Sequence, residues 1–331
     1  MATAKPQKFL KYSLILSLII ATIPLLGAVW LNDKIFSPPR RAIQNYHLAR
    51  LQHPDRYGLI IQKFICLNDK TSCLLVEPNK RTGAGKRGKI LRKQVMKKGI
   101  SLAKYGNIRG IIVLLHGRNG RKEDLLPIAE RFAAAGFRCL IPDLPAHGDN
   151  PLSATAFGGS AFEASFPRQI LENTKKKFNL PNEPTALWGI SMGGAFAMHA
   201  ASESPKTWDA LLVVSSFSYL NKVLDRQVPK KWNTLKPVIF FYLDMAQWIQ
   251  GKPKLSHINP QQWAKKVTIP TLIVHGENDY FIPKAQGKAL YNAINSNKKR
   301  WIVVPKGRHS TVLKTAMPLY AEMNSWLIKT L

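Results

Sequence analysis

The sequence predicts an α/β chain built on a mostly parallel central sheet of about eight strands, with helices on both faces. Three observations predict it. From residue 108 onward, six short apolar runs alternate with stretches of helical spacing, the pattern that sets parallel strands side by side with crossover helices packed above and below. Two earlier apolar runs, "GLIIQKFIC" and "CLLVEP", flank a short polar segment and read as a β-hairpin. The hydrophobic share is 45% over 331 residues, enough for a large core and inconsistent with a disordered composition.

Residues 1–11 form a basic leader with Lys5, Lys8 and Lys11 and no acid. Residues 12–31, "YSLILSLIIATIPLLGAVWL", carry no charge. A run of that length can cross a bilayer core and exceeds the core of a typical signal peptide. The best cleavage position, after Ala28, has Leu26 at −3, a poor fit to the small-residue rule. An uncleaved transmembrane signal anchor is therefore expected, since a terminal stretch apolar all round makes a poor buried soluble helix. Residues 32–57 read as a linker and 58–331 as one α/β domain. The basic leader favours a domain outside the cytoplasm, although Lys34, Arg40, Arg41 and Arg50 after the span weaken that signal.

Cys66 and Cys73 bracket "LNDKTS" in the hairpin. Cross-strand partners there could form a disulfide in an oxidising compartment; two unpaired thiols are the equal alternative. The pair tips the reading toward an extracytoplasmic domain. Cys139, in "GFRCLIP", reads as a buried thiol.

Lys and Arg outnumber Asp and Glu 49 to 19, a formal charge of +30 that attracts polyanions. The excess concentrates in residues 78–122, where fourteen basic residues meet no acid. Segment 80–107 reads as a basic insertion before the first central strand. It is either a solvated loop with a short helix or a surface for anionic headgroups. No nucleic-acid motif accompanies the charge, which speaks against nucleic acid as a partner. No C-x-x-C, H-E-x-x-H or Cys/His cluster points to a metal, and no cofactor is required.

"IRGIIVLLHG" is the continuous apolar run that a central parallel strand needs. "KEDLLPIAERFAAAG" follows as a helix with a glycine stop. "FRCLIPDL", "PTALWG" and "DALLVVSSF" are the next strands, with "FEASFPRQILENTKKKF" and the small-residue "MGGAFAMHAASES" as helices between them. After the sixth strand an insertion, about 219–268, holds Trp232, Phe240, Phe241, Tyr242, Trp248 and Trp263. Its "LKPVIFFYLDMAQWIQ" predicts a helix that lines an acyl pocket or touches lipid; alternatively its aromatics pack the insertion onto the core. "PTLIVHG" and "RWIVVP" complete the sheet.

In such sheets chemistry collects at the carboxyl ends of the strands. Gly189-Ile190-Ser191-Met192-Gly193 sits at one, between strand and helix. G-x-S-x-G alone arises by chance in roughly one chain in ten of this length, but this placement is what a nucleophile elbow requires. Gly189 and Gly193 relieve the crowding of a sharp turn. A serine nucleophile needs a base, and the base an orienting acid. Asp279, after "TLIVHG", and His309, after "RWIVVP", follow Ser191 in the order Ser, acid, His. Glu277 and Asp244 compete with Asp279, which fits best. His275 and His199 read as packing residues. "LLHGRNG" ends the first central strand, so the Arg118 N–H would join that of Met192 as an oxyanion donor, with His116 and Gly117 shaping the loop.

"LLHGRNG", "DLPAHGDN", "GISMGG", "HGENDYFIP" and "GRHS", in this order, resemble the α/β-hydrolase superfamily over about residues 58–331. "INPQQWAKKVTIPTLIVHGENDYFIP" resembles its Bem46-like and serine-aminopeptidase-like (S33) branch, whose members are often membrane-anchored. The resemblance implies an α/β-hydrolase fold, a helical lid after strand 6, and a triad of Ser191, Asp279 and His309. One departure is Pro145-Ala146, where the branch usually has Arg-Gly before His-Gly. The expected function is a membrane-anchored serine hydrolase that cleaves a small-molecule ester or acyl substrate through an acyl-enzyme. A serine peptidase of the aminopeptidase type is the alternative. A non-catalytic scaffold binding an anionic partner or membrane surface is the alternative from another class.

Overall fold

The strands predicted from the apolar runs all form, and they share one sheet. In the computed structural model, which describes residues 4–67, 70–315 and 318–331, they are β1 (Leu59–Ile65), β2 (Ser72–Pro78), β3 (Gly110–Leu115), β4 (Phe137–Pro142), β5 (Thr185–Ile190), β6 (Ala210–Val214), β7 (Thr271–Gly276) and β8 (Lys299–Val304). Residues 1–3 of the basic leader and Asn68 and Asp69 of the hairpin turn lie outside the described residues. The order is β1-β2-β4-β3-β5-β6-β7-β8. β1 pairs antiparallel with β2, and β2 with β4; the other neighbours are parallel. Every residue of β3, β6 and β7 is buried, because helices cover both faces; hence the continuous apolar runs.

The helices are α1 (Ala4–Phe36), α2 (Asn45–Gln52), α3 (Lys86–Met96), α4 (Leu126–Ala134), α5 (Ala161–Lys177), α6 (Met192–Glu203), α7 (Leu220–Asp225), α8 (Lys236–Ile249), α9 (Pro260–Ala264), α10 (Lys284–Ala293) and α11 (Leu319–Thr330). The pleat of β3 divides the core in two. Ile111, Val113 and Leu115 face the cluster with α5, α6, α9 and α10, while Ile112 and Leu114 face α3, α4 and α11. From β3 the chain steps outward to β4 and returns to the other side of β3 as β5. The crevice beyond the carboxyl ends of β3 and β5 is thus the topological switch point where ligands bind in open α/β sheets.

Three segments gain detail in the structure. The candidate span in α1 runs Leu10–Phe36, beyond the uncharged residues 12–31, and its last turns pack on the domain: Ala28, Asn32 and Phe36 are buried. Asn32 Nδ2 donates to Gln250 Oε1 at 2.6 Å and Gln250 Nε2 to Asp33 Oδ1 at 3.1 Å, tying the end of α1 to the end of α8. Residues 32–57 are therefore no loose linker. His47 and Arg50 are buried, His47 Nε2 lies 2.9 Å from Asp124 Oδ1, and Arg40 donates to the Gly148 and Leu152 carbonyls at 2.9 and 3.0 Å. These partners are distant in sequence, so no local pattern announces them. Finally, the basic insertion folds around α3, whose Gly88, Leu91 and Val95 are buried beside α4 and α11. Its flanks join the amino-terminal edge of the parallel strands, opposite the edge to which α1 is tied. Cys66 and Cys73 are disulfide-bonded, their Cα atoms 5.8 Å apart. Cys139 is a buried free thiol.

Candidate active site

Ser191 occupies the single residue between β5 and α6. Its backbone sits at φ 55° and ψ −121°, a region that residues with a Cβ rarely adopt. Hydrogen bonds hold it there. Ser191 N–H donates to the Val214 carbonyl at 2.9 Å, and the Ser191 carbonyl accepts from Gly194 N–H at 3.0 Å and Ser216 Oγ at 2.8 Å. The elbow glycines are required by contact. A Cβ on Gly193 would collide with the Leu115 and His116 carbonyl oxygens, and one on Gly189 with the Gly193 carbonyl. Ser216, missed in the sequence reading, follows β6, one strand away from the elbow it braces.

The loop after β8 brings His309 over Ser191, with Nε2 3.0 Å from Ser191 Oγ. On its other side Nδ1 lies 2.8 Å from Asp279 Oδ2. The Asp279 carboxylate is fully buried, whereas His309 keeps a quarter of its side chain exposed toward the cavity. Asp279 Oδ1 accepts from Ile282 N–H at 2.8 Å, so the carboxylate is held at both oxygens. A proton on Nδ1 suits that carboxylate and leaves Nε2 free to accept from the serine hydroxyl.

The rival residues have other hydrogen-bond partners, although His275 Nε2 also lies 3.5 Å from Asp279 Oδ2. His275 is buried, donates from Nε2 to the Ile282 carbonyl at 2.8 Å, and is kept neutral by burial, which lowers its pKa. His199 lies 2.6 Å from the Gly158 carbonyl and stacks on Trp263 at 4.1 Å. Glu277 accepts from Lys306 N–H and Asp244 from Leu255 N–H.

The loop after β3 completes the floor. A Cβ on Gly117 would lie 3.3 Å from Ser191 Cβ, so this loop rests against the serine. Arg118 and Met192 both line the cavity. Met192 is the first residue of α6, where amides have no intrahelical acceptor. Buried His116 braces the turn: Nδ1 meets the Gly117 carbonyl at 2.9 Å and Nε2 accepts from Leu144 N–H at 3.1 Å. Burial lowers its pKa to about 4, so it stays neutral. Behind it, Lys122 Nζ binds Asp143 Oδ2 and Asp149 Oδ2, each at 2.6 Å. Burial pushes the Asp149 pKa up, but the hydrogen bonds and charge of Lys122 and Lys63 outweigh it and hold the carboxyl at about 2.

The Arg118 side chain is held by the end of α1. It donates from Nη2 to the Lys34 carbonyl at 2.7 Å and from Nε to the Ile35 carbonyl at 3.2 Å, capping the last carbonyls of α1. Beside it a cavity of about 820 Å³ runs up from Ser191 and His309. One side is the insertion between β6 and β7, including Phe240, Tyr242 and Trp232; the other is α1. Of the insertion aromatics, Trp263 packs in the core, while Phe240 and Tyr242 pack against it and also line the cavity. No Asp or Glu is among the described lining residues, and no cluster of described His, Cys, Asp and Glu residues could hold a metal.

The family described as "Serine aminopeptidase, S33" matches residues 106–259 and 256–315. Human protein ABHD12B is 26% identical over 237 residues, covering 66% of this chain and 60% of that protein. The monoacylglycerol lipase of Mycolicibacterium smegmatis is 23% identical over 259 residues, covering 67% of this chain and 89% of that one. Among solved structures, an esterase from Pyrococcus furiosus superimposes with a TM-score of 0.61 at 15% identity, covering 89% of this chain and 99% of that one; at that identity the likeness speaks for the fold alone. The eight-stranded sheet, the serine at its switch point and a family match over more than half the chain lead to one conclusion: the chain belongs to the serine aminopeptidase S33 family of the α/β-hydrolase superfamily.

Proposed function

We propose that the chain is a membrane-anchored serine hydrolase of ester type, with Ser191 as nucleophile, His309 as general base and acid, and Asp279 as orienting acid. One observation carries the reading. A hydrogen-bonded line from Asp279 through His309 to Ser191, with steps of 2.8 and 3.0 Å, ends in a cavity lined mainly by apolar side chains. In this mechanism His309 Nε2 takes the Ser191 proton as Oγ attacks the ester carbonyl. The N–H groups of Met192 and Arg118 donate to the developing oxyanion. His309 returns the proton to the leaving alcohol, and water activated by the same imidazole then releases the acyl group as the acid. Asp279 holds the tautomer and stabilises the imidazolium.

The ester reading is favoured over aminopeptidase action by the cavity. Binding a peptide's terminal ammonium in an apolar site calls for an anionic partner, and no described lining residue supplies one. The similarity to a monoacylglycerol lipase supports the same choice.

Anchoring is assigned to α1, whose Leu10–Phe36 stretch is long and apolar and, before its last turns, exposed. This makes the protein a single-pass membrane protein with residues 1–11 as its leader. The Cys66–Cys73 disulfide supports an extracytoplasmic domain.

Labelling the purified protein with a fluorophosphonate probe tests the nucleophile. Wild type labels, while Ser191→Ala and His309→Ala do not; equal labelling of Ser191→Ala sinks the assignment. For the anchor, the protein stays in the membrane pellet after carbonate extraction, and release into the supernatant refutes the span.

A further inference from the structure

The cavity above Ser191 borrows a wall from the helix that anchors the protein. Pro24, Gly27, Ala28, Leu31 and Ile35 all face it. These five recur at i, i+3, i+4, i+7 and i+11, a stripe of one helix that Trp30, also lining the cavity, borders. Their neighbour Leu26, 68% exposed, lies off the stripe. The notch at Gly27 is open space rather than a helix contact, since an added Cβ there meets no atom within 4 Å.

Depth gives this stripe a meaning. At about 1.5 Å per residue, roughly twenty residues cross the hydrocarbon core. A span entering near residues 10–12 reaches the far interface near Trp30, where indoles collect. Pro24 then lies about 10 Å inside the acyl layer. The lid agrees with that placement. α8 packs along α1, and on its outer side Phe241 and Trp248 are 63% and 70% exposed, an apolar surface beside the anchor that suits contact with lipid. Arg118 joins the helix to the site, because its side chain caps α1 and the residue lines the cavity that also holds Ser191.

We propose that the anchoring helix is itself part of the substrate site. The acyl chain of a membrane lipid lies along the Pro24, Gly27, Ala28 and Leu31 stripe and reaches Ser191 from the bilayer without crossing water. Acyl length is then measured on α1, and Gly27 is a specificity-determining residue. The inference takes its chemistry from the ester-hydrolase reading, but its binding arm stands apart from turnover.

The test uses the full chain in detergent micelles. In a Ser191→Ala background, titration with the fluorescent long-chain fatty acid cis-parinaric acid measures occupancy directly. Filling the notch with Gly27→Trp weakens binding about tenfold or more, as overfilling a packed apolar site does. Leu26→Trp, with the same indole one residue away and off the stripe, leaves it unchanged. In the wild-type background, Gly27→Trp lowers the ratio of long- to short-chain p-nitrophenyl ester kcat/KM by about tenfold, while Leu26→Trp keeps the ratio. Gly27→Leu, a smaller filler, gives the same direction of change should the indole prevent folding. Equal binding and equal ratios for positions 26 and 27 overturn the wall. A chain that binds the probe with the expected contrast but hydrolyses no ester overturns the enzymatic reading and leaves the wall standing.

Discussion

At the floor of the cavity, Ser191, His309 and Asp279 are held by hydrogen bonds at distances of 2.8–3.0 Å, and neighbouring glycines leave no room for a methyl group. At the wall formed by α1 and α8, the side chains lining the cavity are mostly apolar and a glycine faces open space. The floor is built for one geometry, because proton transfer fails when donor and acceptor drift apart. On the proposed reading the wall supplies volume, because a hydrocarbon chain offers no directional contact to match. Damage to the floor should therefore lower the rate for every substrate, and damage to the wall should change which substrate is preferred.

The largest effect tests the floor. Ser191→Ala lowers ester kcat by about a millionfold, the cost of removing a triad serine, equally for short and long acyl chains in a p-nitrophenyl ester series. A loss confined to long chains would place Ser191 in the wall instead. Asp279→Asn follows, with a loss of about ten-thousandfold from the wrong His309 tautomer, again independent of chain length.

Removing the Cys66–Cys73 bond with a double Cys→Ser variant acts on neither surface. It lowers stability by about 2–3 kcal/mol, the loop-closure value for so short a loop. Thermal melts read this as a lower Tm with unchanged fluorophosphonate labelling. A loss of labelling in the folded variant would show that the hairpin supports the floor.

Arg118→Ala works where the two regions meet. Losing the cap on α1 lowers long-chain kcat/KM about tenfold, the worth of one modest hydrogen-bond pair, and narrows the gap between long and short esters. An unchanged profile would uncouple helix from floor.

The smallest effect concerns acid. The Asp149 pKa is depressed to about 2, so its contribution to stability is present above its ordinary value of 3.8 and fades as pH falls from there toward 2. Asp149→Asn lowers the Tm at pH 7 but narrows the difference from wild type at pH 3. A constant difference would remove Asp149 from the buried network behind the floor.

The strands were legible because parallel strands covered on both faces must be apolar without interruption, as β3, β6 and β7 are. Ser191, Asp279 and His309 were legible because each follows a strand, where the turn chemistry is local. The role of the Arg118 side chain was not. Its acceptors, Lys34 and Ile35, lie more than eighty residues away, and an arginine beside glycines carries no mark of what it caps. The same holds for Arg40, Ser216 and the buried residues of segment 32–57, whose partners are remote in the chain.

By itself the sequence determined the α/β class, the order of the elements, the position of the serine elbow and the apolar character of the amino-terminal helix. Periodicity and turn chemistry are local properties, and a chain cannot form these elements without displaying them. Only the tertiary structure decided that α1 bends no chain away from the domain but packs its last turns into it, so that Pro24, Gly27 and Leu31 share a cavity with Ser191 and His309. That juxtaposition joins residues more than 150 positions apart. It is created by packing between α1, α8 and the loop after β3, and no stretch of sequence records it, since an apolar helix looks the same facing lipid as facing a cavity.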